Sequence, residues 1–176
     1  QTAYGQAYDV TLEMMRTWTE DDVISLHKAK TAIYTYENPL FIGARLANLD
    51  SQALLLLHSY SMDGGVAFQL KDDILGVFGD EKETGKSADS DLKQGKCTLL
   101  VLKAFDRSEV QKVWGNINAT REELDEAKIA IKESGSYQYN KDLAIEYAKR
   151  AEVAANKLRE LNLDTDAIDY IQGIAQ

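Results

Sequence analysis

The sequence has few of the residues that cross-link or interrupt a small fold: its 176 residues include one cysteine and one proline. A single cysteine excludes an internal disulfide framework, and a chain of this length can bury a core without one. A single proline leaves room for long uninterrupted helices, which favours them over a turn-rich β architecture. We therefore expect an all-α fold.

Long apolar runs and clusters of positive charge are also lacking. No stretch approaches the roughly 18 apolar residues needed to cross a bilayer. The first ten residues, QTAYGQAYDV, have neither the basic nor the apolar region of a secretory signal. We expect a protein without a transmembrane segment, in a reducing cytoplasm.

The net charge of -9 argues against a nucleic-acid partner, because phosphates are neutralised by stripes of lysine and arginine. An acidic protein that binds an anion needs a few local lysines, together with metal cations that bridge the anion to carboxylates.

Periodicity and capping residues predict helices along the first third of the chain. Apolar groups at helical spacing predict a helix over residues 1–18. Thr19, followed by three acids, predicts the cap of a second helix that runs to about Ala47. Pro39 predicts a kink or break at 36–40, since proline removes a backbone donor and clashes with the preceding turn.

A long third helix is predicted from Ser51 towards Phe78, and its four leucines at 54–57 indicate burial on every side. Residues 79–90 are small and polar, which predicts a loop. The helical pattern resumes as one helix over 91–105.

Two later helices have clear boundary signals. Thr120 and Glu123 match a capping box, and Gly135 is a good C-terminal stop before a helix over 137–163. No linker divides the chain.

Two adjacent carboxylates, Asp72 and Asp73, stand in an otherwise apolar part of the third helix. At 100° per residue and with Gln69 as zero, Asp72, Asp73, Gly76 and Asp80 all fall within about 60° on either side of Gln69. This row faces either solvent or a polar cavity, because ionised side chains are rarely buried without partners. The broad apolar surface of the rest of the helix favours a cavity.

Polar pairs occur on the earlier helices too. Gln6 and Asp9 share one face of the first helix, and the Thr31 hydroxyl and the Lys30 ammonium could reach one anion together. Considered alone, Lys30 is most simply a solvated lysine, and Gln6 with Asp9 is most simply a surface pair.

Lysines follow the carboxylates closely, at Lys86, Lys93 and Lys96. A metal-bridged diphosphate site requires this combination, in which carboxylates hold Mg²⁺ and ammonium groups touch the free oxygens.

These residues form an ordered series of motifs: GQxxD at 5–9, KT at 30–31, FQxxDD at 68–73, GDxxxTGK at 79–86 and DLxxGKxT at 91–98. The series closely resembles the trans-type polyprenyl diphosphate synthases, particularly bacterial geranylgeranyl-type ones. The resemblance covers residues 1 to about 105, and the C-terminal third fits only as generic helices.

The resemblance implies an isoprenoid-synthase helical bundle around a deep central cavity, where three Mg²⁺ ions hold an allylic diphosphate. Ionisation gives an allylic cation, which the double bond of isopentenyl diphosphate attacks before a proton is lost. It also implies a geranylgeranyl-type product and a homodimer of the complete protein.

Metal and diphosphate roles follow from the same resemblance. Asp72 would be a metal ligand, and Asp73 would support the shell of that metal through water. Lys30, Lys86 and Lys96 would contact the allylic diphosphate and stabilise its departure.

The remaining roles concern the cation and the cavity. Thr31 and Gln69 would lie beside the developing cation. Gln6, Asp9 and Phe68 would line the cavity wall.

The chain departs from the family pattern in two places. Gly76 stands at the fifth position of the usual DDxxD, so one carboxylate is lost. The family's first aspartate-rich motif belongs upstream of residue 5, so we expect residues 1–176 to be the C-terminal portion of one synthase domain, inactive alone. The missing half or a partner chain would then cover its apolar faces. An alternative function is that of a non-catalytic subunit of a heteromeric synthase.

Overall fold

The computed structural model describes residues 2–80, 89–161 and 163–175, which contain helices and turns and no β-strand. The α-helices are α1 (Thr2–Met15), α2 (Glu20–His27), α3 (Asn38–Leu46), α4 (Ser51–Phe78), α5 (Ser90–Gln94), α6 (Leu99–Leu102), α7 (Ser108–Val113), α8 (Arg121–Glu133), α9 (Ser136–Leu158) and α10 (Thr165–Ala175). A π-helical segment, Lys28–Glu37, joins α2 to α3, and a 3-10 turn, Arg159–Leu161, follows α9. The predicted all-α class is confirmed.

Capping residues set several of these boundaries as predicted. Thr19 and Asp22 exchange hydrogen bonds at the start of α2, with the Thr19 backbone N–H 2.8 Å from Oδ2 of Asp22. Thr120 and Glu123 form both bonds of the capping box at the start of α8. Gly135 separates α8 from α9 with a φ of +82°, a backbone conformation that favours glycine.

The region around Pro39 differs from the simple kink or break that the sequence predicts. The chain stays helical, but it changes from π to α geometry between Glu37 and Asn38. The N–H of Asn38 bonds to the carbonyl of Ile33, five residues back. A wide turn before Pro39 is one way for a helix to accommodate a ring that clashes with a normal turn.

Two details of the sequence-based prediction are wrong. Leu55 is 68% exposed, so the four leucines are not buried on every side. The helix expected over 91–105 is two short helices, because Gly95 adopts a left-handed conformation at the end of α5.

Contacts within the chain group it into two compact units. The first comprises Gln1–Gln6, Ile24–Gln69 and Ala144–Gln176, and the second comprises Ala7–Val23 and Leu70–Leu143.

The first unit has a buried apolar cluster to which several helices contribute. Its members are Tyr36, Ala44, Ala53, Leu54, Leu57, Tyr60, Ala151, Ala154, Ala155, Leu158, Ile168 and Ile171. Tyr60 is almost fully buried, and its hydroxyl donates a hydrogen bond to the Ile171 carbonyl at 2.6 Å. This bond satisfies a polar group that would otherwise be costly to bury.

The second unit combines buried aliphatic residues with an aromatic cluster. The rings of Trp18 and Trp114 stack with centroids 5.2 Å apart, and Phe105 packs edge-on against both. Leu70 and Val77 of α4 are fully buried. The spacing of these two α4 residues defines the buried side of the helix in this unit.

None of the helices in the described part of the chain combines the length and apolarity of a membrane span.

Candidate functional site

The acidic row of α4 is not a solvent-facing stripe throughout. Asp73 is only 5% exposed, three residues after Leu70 and four before Val77, both of which are fully buried. Asp72 is partly buried and Asp80 is exposed. The two adjacent carboxylates therefore differ from an ordinary surface pair, since a buried carboxylate needs compensating charge or hydrogen bonds.

Lys96 supplies positive charge in the same unit. Its Nζ lies 2.7 Å from Oδ1 of Asp91, and the Lys96 side chain is partly buried. Burial opposes the charged form, but the Asp91 hydrogen bond and the negative charges of Asp91, Asp73 and Asp72 outweigh it and raise the pKa of Lys96. The protonated, positively charged form of Lys96 is therefore favoured by these neighbouring carboxylates.

A turn in the DLxxGKxT motif places Lys96 in this position. The N–H of Lys96 bonds to the carbonyl of Asp91 at 3.0 Å, and Gly95 takes a φ of +75°. Residues five apart are thereby folded back so that their side chains meet. Asp91 is a residue of this site for which the motif pattern predicted no role, although its spacing from Gly95 and Lys96 is a signal that could have indicated the pairing.

Thr31 and Gln69 are brought together in the first unit. The Thr31 hydroxyl donates a hydrogen bond to Oε1 of Gln69 at 2.7 Å. Thr31 is buried and Gln69 is partly buried. The pair joins the π-helical segment to α4, so two residues that the resemblance puts beside the cation are in direct contact.

Two glycines allow close approach to the π-helical segment around Thr31. An ideal Cβ on Gly5 would lie 2.9 Å from the backbone nitrogen of Lys30, and one on Gly65 would overlap Cα of Ala32. Real Cβ contacts are longer, so neither α1 nor α4 could approach this segment as closely with a side chain at these positions.

The other predicted site residues differ in their exposure to solvent and lie on different helices. Lys30 is partly buried in the π-helical segment, and Gln6 is exposed on α1. Asp9, also on α1, is partly buried. Phe68 is half-exposed, with its ring centroid 6.1 Å from that of Tyr36. Lys86 lies outside the described residues.

Metal-ligating side chains were expected at Asp72 and Asp73. Among the described residues, no group of three or more histidine, cysteine, aspartate or glutamate side chains is arranged to hold a metal ion. Mg²⁺ does not require such a cage, because it is usually bound by one or two carboxylates together with waters and substrate phosphates.

Comparison with known proteins identifies the family. The polyprenyl synthetase family model matches residues 1–134. The geranylgeranyl diphosphate synthase of Saccharolobus solfataricus is 36% identical over 163 residues, which are 89% of this chain and 48% of that protein. The geranylfarnesyl diphosphate synthase of Aeropyrum pernix is 33% identical over 97% of this chain and 56% of its own length.

Solved structures agree with these matches. The geranylgeranyl pyrophosphate synthase of Corynebacterium glutamicum, complexed with isoprenyl diphosphate and magnesium, superposes with a TM-score of 0.89 at 27% identity, over 99% of this chain and 50% of its own. A polyprenyl synthase of Caulobacter crescentus, complexed with calcium and isoprenyl diphosphate, gives a TM-score of 0.85 at 27% identity, over 99% of this chain and 53% of its own.

The chain spans about half the length of these relatives. The match to the family model extends beyond residue 105, where the motif series ends, into α8. The chain therefore belongs to the polyprenyl synthetase family.

Proposed function

We propose that the complete protein condenses isopentenyl diphosphate with an allylic diphosphate. One observation carries this proposal: the Lys96 ammonium is bonded at 2.7 Å to Asp91, whose carboxylate lies against α4 at Gly76, one turn after the adjacent carboxylates Asp72 and the buried Asp73. Carboxylates for a metal and an ammonium for the phosphate oxygens are what a metal-bridged diphosphate site needs.

The donor set at this position fits Mg²⁺. Asp72 and Asp73 offer hard oxygen ligands, and the two related crystal structures hold magnesium or calcium together with isoprenyl diphosphate. When bound, the metal would neutralise the diphosphate and make it a better leaving group. We propose three Mg²⁺ ions for the complete site, with Asp72 as a direct ligand and Asp73 acting through water.

The remaining residues take roles in binding and in cation stabilisation. Lys30, Lys86 and Lys96 contact the diphosphate, so that their charges oppose the negative charge that develops on the leaving group. The Thr31–Gln69 pair presents polar oxygen atoms beside the allylic cation. Because Thr31 donates to Gln69, the amide oxygen is fixed in direction.

Gln6, Asp9 and Phe68 form part of the cavity wall in this proposal. The product is of geranylgeranyl type, which the names of several relatives support.

The complete protein also contains a region outside residues 1–176 in this proposal. The chain corresponds to about half of each of the relatives described above. We propose that the remaining half of the domain, on the same chain or on a partner chain, provides the family's first aspartate-rich motif, and that the complete protein is a homodimer.

The test is a condensation assay of the complete protein with Mg²⁺, isopentenyl diphosphate and farnesyl diphosphate. Asp72→Ala is expected to lower turnover roughly 100-fold or more, since even residues that only support a metal ligand cost 10–100-fold. The helical circular dichroism should be unchanged. Unaltered turnover in Asp72→Ala would overturn the metal role.

Asp21→Ala is the matched control. Asp21 belongs to the other adjacent aspartate pair, is exposed and lies in the first turn of α2. Its replacement should leave turnover within about twofold, because a surface charge at a helix start contributes only a few tenths of a kcal/mol to stability. A complete protein that fails to turn over the two substrates under any condition would favour the non-catalytic subunit.

A further inference from the structure

Gly76 occupies the position where the family pattern has a third aspartate, and its surroundings differ from those of an ordinary helical glycine. An ideal Cβ at Gly76 would overlap Oδ2 of Asp91 and lie 2.6 Å from its Cγ. The Asp91 carboxylate, carried by α5, therefore lies directly against the backbone of α4 at this position.

The Asp91 carboxylate continues the acidic row from a different helix. Gly76 is four residues after Asp72 and three after Asp73, so it lies on the same side of α4, one turn further on. Asp80, the other carboxylate of the row, is exposed on the surface. A carboxylate from α5 thus takes the place next to α4 that a side chain at Gly76 would fill.

Asp91 is also constrained on its other side. Its Oδ1 accepts from Nζ of Lys96 at 2.7 Å, and the residue is only 6% exposed. A flexible surface carboxylate could move away freely from an added methyl group, whereas movement of this buried carboxylate would strain its charged hydrogen bond to Lys96. Such bonds are worth more than neutral ones when they are buried.

We propose that Asp91 positions the Lys96 ammonium beside the Asp72–Asp73 pair, and that Gly76 is required because the Asp91 carboxylate occupies the space of a side chain there. Asp91 is a positioning residue that acts through Lys96. In this chain a Cβ at position 76 and the Asp91 carboxylate, as it is bonded to Lys96, would occupy the same space, so the absence of a side chain at Gly76 leaves room for Asp91. The positioning statement, that Asp91 holds Lys96 in place for diphosphate binding, rests on the proposed function. The packing statement, that Gly76 leaves room for the Asp91 carboxylate, does not.

The packing statement is tested by thermal unfolding of the complete protein without ligand. Gly76→Ala should lower the unfolding midpoint by roughly 3 °C or more, as overpacked sites do. Gly43→Ala is the matched control, because an ideal Cβ at Gly43 in α3 meets no atom within 4 Å. In an Asp91→Ala background the drop caused by Gly76→Ala should disappear, since the overlapping atoms are gone.

Two outcomes of this cycle would overturn the packing statement. One is a Gly76→Ala variant as stable as Gly43→Ala. The other is an equal drop with and without the Asp91 carboxylate. Neither depends on turnover, so failure here is distinguishable from failure of the proposed function.

The positioning statement is tested by calorimetric titration with inorganic pyrophosphate in the presence of Mg²⁺. Asp91→Asn keeps the shape but removes the charge, and it should weaken pyrophosphate binding about tenfold, the value of one charged hydrogen bond. Asp125→Asn removes one charge from an exposed 4.0 Å pair on α8 and should change binding less than about twofold.

The Lys96→Ala background separates positioning from a general structural role. If Asp91 acts through Lys96, Asp91→Asn should have no further effect on pyrophosphate affinity in Lys96→Ala. An undiminished effect in that background, or unchanged or tighter binding in Asp91→Asn alone, would overturn the proposal.

Discussion

Asp73 lies on the buried side of α4, where a carboxylate is costly unless nearby positive charge compensates it. Lys96 is such a charge, and the negative charge of Asp73 is among the causes that raise the pKa of Lys96, after the hydrogen bond and charge of Asp91. Burial of ionisable groups at this position gains nothing for folding that an apolar residue would not provide. The energetic cost of burying the Asp73 carboxylate has a functional reason if this carboxylate helps to bind a metal or ligand.

Cys97 illustrates the opposite case, a buried titratable group without a role in the proposed chemistry. Burial, followed by the negative charges of Glu13 and Asp9, raises the pKa of the Cys97 thiol to about 12. The thiolate is the reactive form of cysteine, so this residue should be inert in the folded protein.

The predicted behaviour of Cys97 has two measurable parts. At pH 8 the folded chain should leave this thiol unreacted with a disulfide reagent, and unfolding in urea should expose it. Because the folded pKa is raised, the unfolded state loses its proton first, and stability should be constant below about pH 8.5 and fall between that pH and about 12.

The control for this measurement is a variant in which Cys97 is replaced and the thiol is absent. Cys97→Ala should remove the contribution of this thiol to the reagent signal of the unfolded chain and reduce the alkaline loss of stability. Rapid modification of the native protein at pH 8 would contradict the assigned burial.

Tyr60 gives a second prediction about a single side chain. Tyr60→Phe removes the donor to the Ile171 carbonyl in the core of the first unit. The loss should lower the free energy of unfolding by about 1–2 kcal/mol, measured with urea, because a buried acceptor loses its partner. Tyr34→Phe is the control, since Tyr34 is exposed, and an equal effect of both variants would contradict the explanation.

The helix α4 was the most predictable element of the chain. Its bounds, Ser51–Phe78, are those that apolar periodicity and the following polar loop indicated. The capping box of α8 and the stop at Gly135 were equally readable, because each depends on a few neighbouring residues.

The π-helical segment was not predictable, since ten residues of helical pattern do not distinguish π from α geometry. Its close contacts with Gly5 and Gly65, which the lack of side chains permits, are likewise with residues distant in sequence. The site shows the same limit: adjacent acids and nearby lysines indicated a diphosphate site, but the pairing of Lys96 with Asp91 required the turn at Gly95.

The contact between α4 and the π-helical segment yields a prediction at Gly65. Gly65→Ala would drive a methyl group into Cα and Cβ of Ala32, and backbone cannot move aside as a flexible side chain can. The free energy of unfolding should fall by about 1–3 kcal/mol or more, as for other overpacked sites.

A glycine-to-alanine substitution at Gly43 is the control for the effect of Gly65→Ala on the free energy of unfolding. Gly43→Ala, on a helix with open space, should be neutral or stabilise by about 0.5–1 kcal/mol, because alanine favours a helix over glycine. Denaturant titration of both variants gives the two values. If they agree, the close packing of α4 on the π-helical segment is not a constraint on this position.

The first unit presents several large apolar side chains at its surface. Ile42 and Leu46 of α3 are 64% and 80% exposed, and Leu55 of α4 is similarly exposed. Surfaces with contiguous apolar groups commonly contact another protein segment. This exposure agrees with the proposal that residues 1–176 are one part of a larger synthase domain.

The last prediction concerns residues 1–176 produced alone. With about half the length of its relatives, this polypeptide should self-associate and bind a hydrophobic dye, and it should not condense isopentenyl diphosphate with farnesyl diphosphate. Addition of a second polypeptide that contains the family's first aspartate-rich motif should suppress dye binding and restore turnover. The same mixture prepared with Asp72→Ala should lose the dye signal but remain inactive, because assembly needs the apolar faces whereas chemistry needs the carboxylate. A stable monomer of residues 1–176 that turns over unaided would refute the partial-domain proposal.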